Sequence, residues 1–186
     1  SSLLYIHDAQ PYVVDFSNGF KISALALGNH VKNLRWQCNS SQEVLYIDHA
    51  GVSSTLIKYN LTTKEKTRLS NGVTSFNQDC DNEAYYASFE RKPGIYKLDA
   101  SFSASSGEVF FAHETFISAD YWGANSNGLY YMSNYNELTL HSFDNQHDKM
   151  VFPDDMWANR IRITGNSLVI DSVSLEQTFI GEFKGE

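Results

Sequence analysis

The stretch VLYIDHAGVSSTLIKYNLTTKEKTRLSNG, residues 44–72, determines the predicted fold of this chain. It contains three short segments rich in β-branched and aromatic residues, at 44–48, 55–60 and 66–70, with Gly, Asn, Ser or Thr in each gap. A fourth segment of this kind, VKNLRWQC at 31–38, lies just upstream. Together they predict one four-stranded antiparallel unit of about forty residues.

The same unit recurs along the chain at nearly constant spacing. An apolar and aromatic triplet marks the second strand of each unit, and these triplets end at Tyr5, Tyr46, Tyr86, Tyr131 and Ile170. Successive triplets are therefore 39 to 45 residues apart. The last apolar residue of a third strand follows each triplet after 11 to 13 residues. A period near forty with four strands per unit is typical of β-propeller blades.

The chain is therefore predicted to be all-β, a propeller-like array of about five four-stranded antiparallel blades. No window has the 3.6-residue periodicity of an amphipathic helix. We expect a single domain over residues 1–186, with units near 1–29, 30–72, 73–113, 114–154 and 155–186, and inner strands at 31–38, 74–78, 117–122 and 160–164.

The two terminal units are incomplete in the sequence pattern. The first unit lacks an inner strand and the last lacks an outer strand, so simple closure of the ring leaves a gap. Two alternatives remain open at this point. Either the ring continues outside this chain, or it closes imperfectly around a short blade.

Composition restricts the classes of function. The net charge is −8 and there is no basic cluster, which argues against direct binding to nucleic acid or to an anionic membrane surface, because such binding requires a positive surface. No apolar run has the length of a membrane span, and no signal peptide is present. Because the chain starts at Ser1, we expect an excised domain or processed product, with any membrane anchor outside this chain.

The two cysteines, Cys38 and Cys80, occupy equivalent places near the end of the first strand in neighbouring units. Neighbouring inner strands could bring them within bonding range, which would close a loop of roughly forty residues and stabilise the fold by about 4 kcal/mol. A periplasmic location favours this disulfide. The alternative is a pair of reduced, buried thiols that act as small apolar side chains.

Three tryptophans, Trp36, Trp122 and Trp157, lie in or just before predicted first strands. One interpretation is an aromatic binding face for a peptide or a sugar on one side of the propeller. The favoured interpretation is packing between neighbouring blades, where large aromatic side chains fill the space between sheets.

The sequence predicts no catalytic, metal or cofactor site. Motifs for a nucleophile elbow, a zinc-binding helix or a phosphate-binding loop are absent. Asn77, Asp79, Asp81 and Glu83 alternate as in a calcium loop, but Ala84 occupies the position where such a loop needs glycine, which favours a polar turn.

The six histidines are scattered, with no pair at metal-ligand spacing on one strand. They are His7, His30, His49, His113, His141 and His147. His7 and His49 fall just past the predicted second strands of the first two units, which is compatible with a pH-responsive edge. The favoured explanation is that both histidines occupy the same position of a repeated unit.

Residues 34–72 resemble the repeat of TolB-like propellers. The family pattern is matched by the strand at 44–47, the strand end at 57–60 and the closing Arg68-Leu69-Ser70. The third unit fits less fully. Its matching residues are Tyr85-Tyr86 and 95–99. The turns at 39–43 and 81–83 depart from the Ser-Pro-Asp-Gly of the family, so the resemblance concerns the fold and carries no catalytic residue.

This resemblance implies a periplasmic or extracellular domain. Such propellers form the sensor part of bacterial membrane-anchored transcriptional regulators similar to the CadC/ToxR type, and the non-catalytic domain of prolyl-peptidase-like hydrolases. The function we expect is non-enzymatic binding or sensing on the periplasmic face of the inner membrane, with a protein, peptide or small ligand at a propeller face. The alternatives are the propeller domain of a hydrolase and a structural subunit of an envelope complex.

Overall fold

The structure, a computed structural model, describes residues 2–17, 19–99, 101–111, 121–132, 138–144, 148–150, 158–164, 167–172 and 177–182. These residues form eighteen strands in five antiparallel sheets, three with four strands and two with three. Within these ranges there is no helix, and accordingly none with the length and apolar character of a membrane span.

The sheets follow one another along the chain. The first contains β1 (Ser2–His7), β2 (Gln10–Asp15) and β3 (Lys21–Ala24). The second contains β4 (Val31–Trp36), β5 (Glu43–Asp48), β6 (Thr55–Asn60) and β7 (Lys66–Asn71). The third contains β8 (Val73–Asp79), β9 (Ala84–Phe89), β10 (Lys92–Leu98) and β11 (Ala104–Phe111). The fourth contains β12 (Trp122–Asn125), β13 (Gly128–Met132), β14 (Leu138–Ser142) and β15 (Asp148–Met150). The fifth contains β16 (Ala158–Thr164), β17 (Ser167–Ser172) and β18 (Gln177–Glu182).

The core lies between neighbouring sheets, because the central strands bury side chains on both of their faces. Successive residues of a strand point to opposite faces, so an unbroken apolar run serves two interfaces at once. In the second sheet, the side chains that pack toward the first are Val44, Tyr46, Ile57 and Tyr59. Those that pack toward the third are Leu45, Ile47 and Leu56.

The first sheet contains the second, third and fourth strands of a unit. The first residues of β1 and the last residues of β4 line one cavity. β1 therefore runs antiparallel to β4, and β5 runs antiparallel to β4 as well. Leu4 and Val13 pack against the core beside the second sheet. β3 then leads into β4 as β7 leads into β8. β1 is therefore the counterpart of β5, and no described strand occupies the inner position of its sheet.

The inner strand of the fourth unit ends later than the sequence predicts. The prediction of 117–122 meets the observed β12 only at Trp122, and residues 117–120 lie outside the described ranges. Gly123 and Ala124 have little intrinsic β-propensity, so the sequence pattern did not indicate this strand. Their small size has a packing reason, because a Cβ on Gly123 would lie 2.9 Å from Ile163 of the fifth sheet. The other predicted inner strands overlap β4, β8 and β16.

Candidate ligand site at the axis of the sheets

A cavity of about 360 Å³ lies where the five sheets converge. All five sheets contribute to its wall, through residues 2–4, 34–36, 78–81 and 124–125 and through Ile163. These residues belong to β1 and to the ends of the inner strands or the turn that follows. The cavity therefore lies near one end of the axis around which the sheets are arranged.

The cavity wall combines apolar sides with polar groups. The apolar side chains are Leu3, Leu4, Leu34, Trp36, Ala124 and Ile163. The polar and charged side chains are Ser2, Arg35, Gln78, Asp79, Asp81 and Asn125. Ligand pockets in proteins typically have this composition, with an apolar lining and a few polar groups that fix orientation.

Two amide side chains in the wall retain unused hydrogen-bonding capacity. Gln78 donates through Nε2 to the carbonyl of Trp36, while its Oε1 is buried and has no partner. Asn125, which is 2% exposed, accepts a hydrogen bond at Oδ1 from the Asn127 amide at 3.0 Å. Its Nδ2 is buried and has no hydrogen-bond partner. The Asn125 side chain also lies beside Tyr130, where it opposes the rise in the pKa of the phenol that burial causes. A buried, unsatisfied polar group costs about 1–3 kcal/mol.

Side chains hold neighbouring inner strands together behind this wall. Asn33 donates through Nδ2 to the carbonyl of Phe76 at 2.6 Å. Asn77 donates in the same way to the carbonyl of Trp122 at 3.1 Å, and Trp122 returns a hydrogen bond from Nε1 to Ser75 Oγ at 2.8 Å. Because these bonds are buried or partly buried, they fix the spacing of the strands whose ends form the cavity.

Cys38 and Cys80 are joined by a disulfide bond in the structure, with their Cα atoms 5.1 Å apart. The bond follows directly on the ends of β4 and β8 and links the second sheet to the third. Cys80 itself lines the cavity. The bond therefore holds together two of the strands that form the site.

The three tryptophans do not form one aromatic face. Trp122 is 0% exposed, so a binding face that includes it is wrong, and packing between the third and fourth sheets is what the structure shows. Trp36 is partly buried and lines the cavity. Trp157 lies outside the described residues.

The acidic stretch that resembles a calcium loop forms a polar turn between β8 and β9. The carboxylate of Asp79 accepts hydrogen bonds from the amides of Asp81 and Asn82 at 3.1 and 3.4 Å. It also accepts one from Asn82 Nδ2 at 2.7 Å. Asp79 thus closes its own turn. In the described part of the chain, no three His, Cys, Asp or Glu side chains are grouped closely enough to hold a metal ion.

A serine, a histidine and a carboxylate lie together between the second and third sheets, but not as a catalytic relay. Ser54 Oγ is 2.9 Å from His49 Nδ1, while Glu90 accepts hydrogen bonds from the Ser54 amide at 2.9 Å and Ser53 Oγ at 3.2 Å. A relay needs the carboxylate on the imidazole. Glu90 instead binds the serines, and Ser54 is only 6% exposed. The sequence did not reveal this cluster.

The two histidines paired by the sequence pattern differ in their surroundings. His7 ends β1, is exposed and lies 3.4 Å from Asp8. His49 follows β5, and burial, reinforced by the charge of Lys32, lowers the pKa of its imidazole. His7 is thus the last residue of a second strand and His49 the first residue after one, close to the repeated position expected. His113 and His147 lie outside the described residues.

We expect stability to fall as the pH drops below about 6.5 because of His49. Its pKa is lowered in the folded state, so the unfolded chain takes up a proton first, and stability present above about pH 6.5 is lost as the pH falls through the folded-state pKa. Urea denaturation at a series of pH values measures this slope, which corresponds to less than one proton per molecule. His49→Gln should flatten it. An unchanged slope in His49→Gln would contradict the prediction.

Comparison with known proteins identifies the fold. No protein-family model matches the sequence, and no curated protein matches it. Solved structures do match: a structure of the nidogen/laminin complex has a TM-score of 0.72 at 10% identity over 98% of this chain. TolB from Acinetobacter baumannii has a TM-score of 0.65 at 10% identity over 96% of the chain. The fold is a β-propeller.

A third propeller structure is the extracellular domain of the hybrid two-component system BT3049 from B. thetaiotaomicron. It has a TM-score of 0.55 at 13% identity over 96% of this chain. The present chain spans 74% of the nidogen/laminin structure's chain, 52% of the TolB chain and 28% of the BT3049 chain. A TolB-like propeller, as the sequence pattern indicated, fits these likenesses.

Proposed function

We propose that this chain is a non-enzymatic ligand-binding propeller that acts outside the cytoplasm as the sensing part of a larger membrane-anchored regulator. The observation that carries the proposal is the cavity at the axis, whose wall is built by all five sheets and combines apolar with polar side chains, among them the buried amides of Gln78 and Asn125. Sites of this composition are the usual place for a ligand in a propeller-like or barrel-like fold.

Two further features support this role. The disulfide between Cys38 and Cys80 favours an oxidising compartment, because thiols are kept reduced in the cytosol. TolB and the extracellular domain of BT3049 are propellers of similar shape. BT3049 is a hybrid two-component system. In contrast, the one serine–histidine–carboxylate cluster found among the described residues has the wrong geometry for hydrolysis.

Ligand-detected NMR on the oxidised chain tests the proposal directly. The probes are a defined mixture of amino acids, mono- and disaccharides, and capped tetrapeptides. Ser2→Trp is designed to fill the cavity from an exposed position, and Val52→Trp is its matched control, because Val52 is fully exposed and does not line the cavity. We expect at least one probe to bind, and its affinity to fall at least tenfold in Ser2→Trp but not in Val52→Trp.

Two outcomes would contradict the proposed function. If no probe binds, or if binding is equal in both variants, the cavity is not a ligand site. If any probe is chemically converted during the measurement, the non-enzymatic assignment is wrong.

A further inference from the structure

The charged side chains of the axial cavity are distributed unevenly around its wall. Asp79 and Asp81 line it from the end of β8 and the turn that follows, and Arg35 lines it from β4. The first, fourth and fifth sheets contribute apolar side chains and, apart from them, only Ser2 and Asn125. The cavity therefore has an acidic side, formed by the third sheet, and a mainly apolar remainder.

Asp79 is a buried carboxylate without a matching positive charge. It is 3% exposed, and the groups that donate hydrogen bonds to it are neutral: the backbone amides of Asp81 and Asn82 and the side-chain amide of Asn82. Aspartates are rarely this buried unless they are paired with an opposite charge. Neither of the two ion pairs found in the described part of the chain involves Asp79. Its negative charge is therefore left uncompensated at the cavity wall.

Asp81 adds a second negative charge, in an exposed position of the wall. Its backbone amide closes the turn, whereas its carboxylate has neither a hydrogen bond nor an ion pair within the described ranges. The basic side chain of the wall, Arg35, already donates from Nε to Asn33 Oδ1 at 3.2 Å. The wall thus carries two carboxylates and one guanidinium, in a chain of net charge −8. Both features favour a positively charged ligand.

We propose that the axial cavity binds a small organic cation, in which an ammonium group is attached to an aromatic or branched aliphatic body. The inference rests on the proposed function and specifies the chemical class of its ligand. The ammonium would lie beside Asp79 and Asp81, and the apolar body would pack against Leu34 and Trp36. A bare metal ion does not suit the site, because no three His, Cys, Asp or Glu of the described residues are grouped to hold one. The cavity has the volume of about twelve water molecules, which a ligand of about that many non-hydrogen atoms would fill.

Matched small molecules test the charge of the ligand. The probes are the cations phenethylamine and isopentylamine, with neutral phenethyl alcohol and anionic phenylacetate as analogues of similar size. Ligand-detected NMR on the oxidised chain measures their affinities. We expect phenethylamine to bind at least about tenfold more tightly than phenethyl alcohol in about 50 mM salt, and the difference to shrink in about 0.5 M salt, because salt screens the attraction. Ammonium chloride should not compete at equal concentration, since it lacks the apolar body.

Single substitutions locate the ammonium group. Asp81→Asn should weaken phenethylamine binding at least about threefold and leave phenethyl alcohol binding unchanged, because it removes one charge and keeps the shape of the side chain. Glu83→Gln is the matched control, because it removes a charge from an exposed position of the same turn, and Glu83 does not line the cavity. Ser2→Trp should weaken both compounds, since it fills the cavity. Asp79 is left unchanged because its carboxylate closes the turn.

The outcomes separate this inference from the function on which it rests. Equal or tighter binding of phenethyl alcohol or phenylacetate, still lost in Ser2→Trp, would overturn the cationic ligand and leave the ligand-binding function intact. So would failure of both amines while another probe of the wider mixture binds in the cavity. Equal losses in Asp81→Asn and Glu83→Gln would indicate general attraction to an acidic protein and overturn the cation site. Failure of every probe would overturn both proposals.

Discussion

Replacing both Cys38 and Cys80 with serine is expected to lower the free energy of unfolding by about 4 kcal/mol. The disulfide closes a loop of 42 residues, and its removal returns the corresponding entropy to the unfolded chain. Urea denaturation followed by tryptophan fluorescence measures the difference. An effect of this size is a large fraction of the stability of an ordinary domain, so the doubly substituted chain should be partly unfolded at 37 °C.

The wild-type chain in dithiothreitol provides the matched control for this substitution, because it loses the bond without changing a residue. It should unfold at the same urea concentration as the Cys38→Ser, Cys80→Ser chain. The prediction would be contradicted if the free energy of unfolding of the doubly substituted chain were less than about 1 kcal/mol below that of the oxidised wild-type chain. The affinity for any probe that binds in the cavity should also fall, since the bond fixes two strands whose ends form the cavity wall.

The repeat of the fold could be predicted from the sequence because each second strand is an apolar run buried on both faces. Residues 44–47 are all fully buried, and the same signal recurs at Tyr86 and Tyr131. The repeat also placed the two cysteines at equivalent positions of neighbouring units, which made a disulfide one of two alternatives, and the structure shows the bonded one. Periodicity therefore predicted the sheets and suggested the contact between two of them.

The fourth inner strand could not be predicted in the same way. The sequence Trp122-Gly123-Ala124-Asn125 lacks β-branched residues, and what selects it is the close approach of Ile163 from the next sheet. That contact joins residues about forty positions apart, so no local window contains it. Packing between neighbouring sheets, the favoured interpretation for Trp122, is what the structure shows, and that packing involves the third sheet.

The cavity is the clearest case of a feature that no local pattern shows. Its wall takes a few residues from each of five separate sheets, and none of these segments is a recognisable binding motif. The cavity depends on how the five sheets are arranged around their axis, which only the structure shows.

Replacing Trp122 with alanine is expected to lower the free energy of unfolding by about 3–5 kcal/mol, the usual cost of truncating a buried aromatic side chain. Trp122 is fully buried among Tyr86, Ile95 and Leu129, so its removal leaves a cavity between the third and fourth sheets. The indole also donates a hydrogen bond to Ser75 Oγ, and that buried hydroxyl would lose its donor.

Tyr121 provides the control, because it lies next to Trp122 in the chain but is exposed. Tyr121 is 46% exposed, so Tyr121→Ala should change stability by no more than about 0.5 kcal/mol. Trp122→Phe should lie between the two, because it keeps most of the apolar volume and loses the hydrogen bond to Ser75. Urea denaturation followed by circular dichroism measures all three, since fluorescence would lose one of its reporters. Equal losses in Tyr121→Ala and Trp122→Ala would contradict the packing role, because the interface between these sheets would then tolerate the removal of its largest side chain.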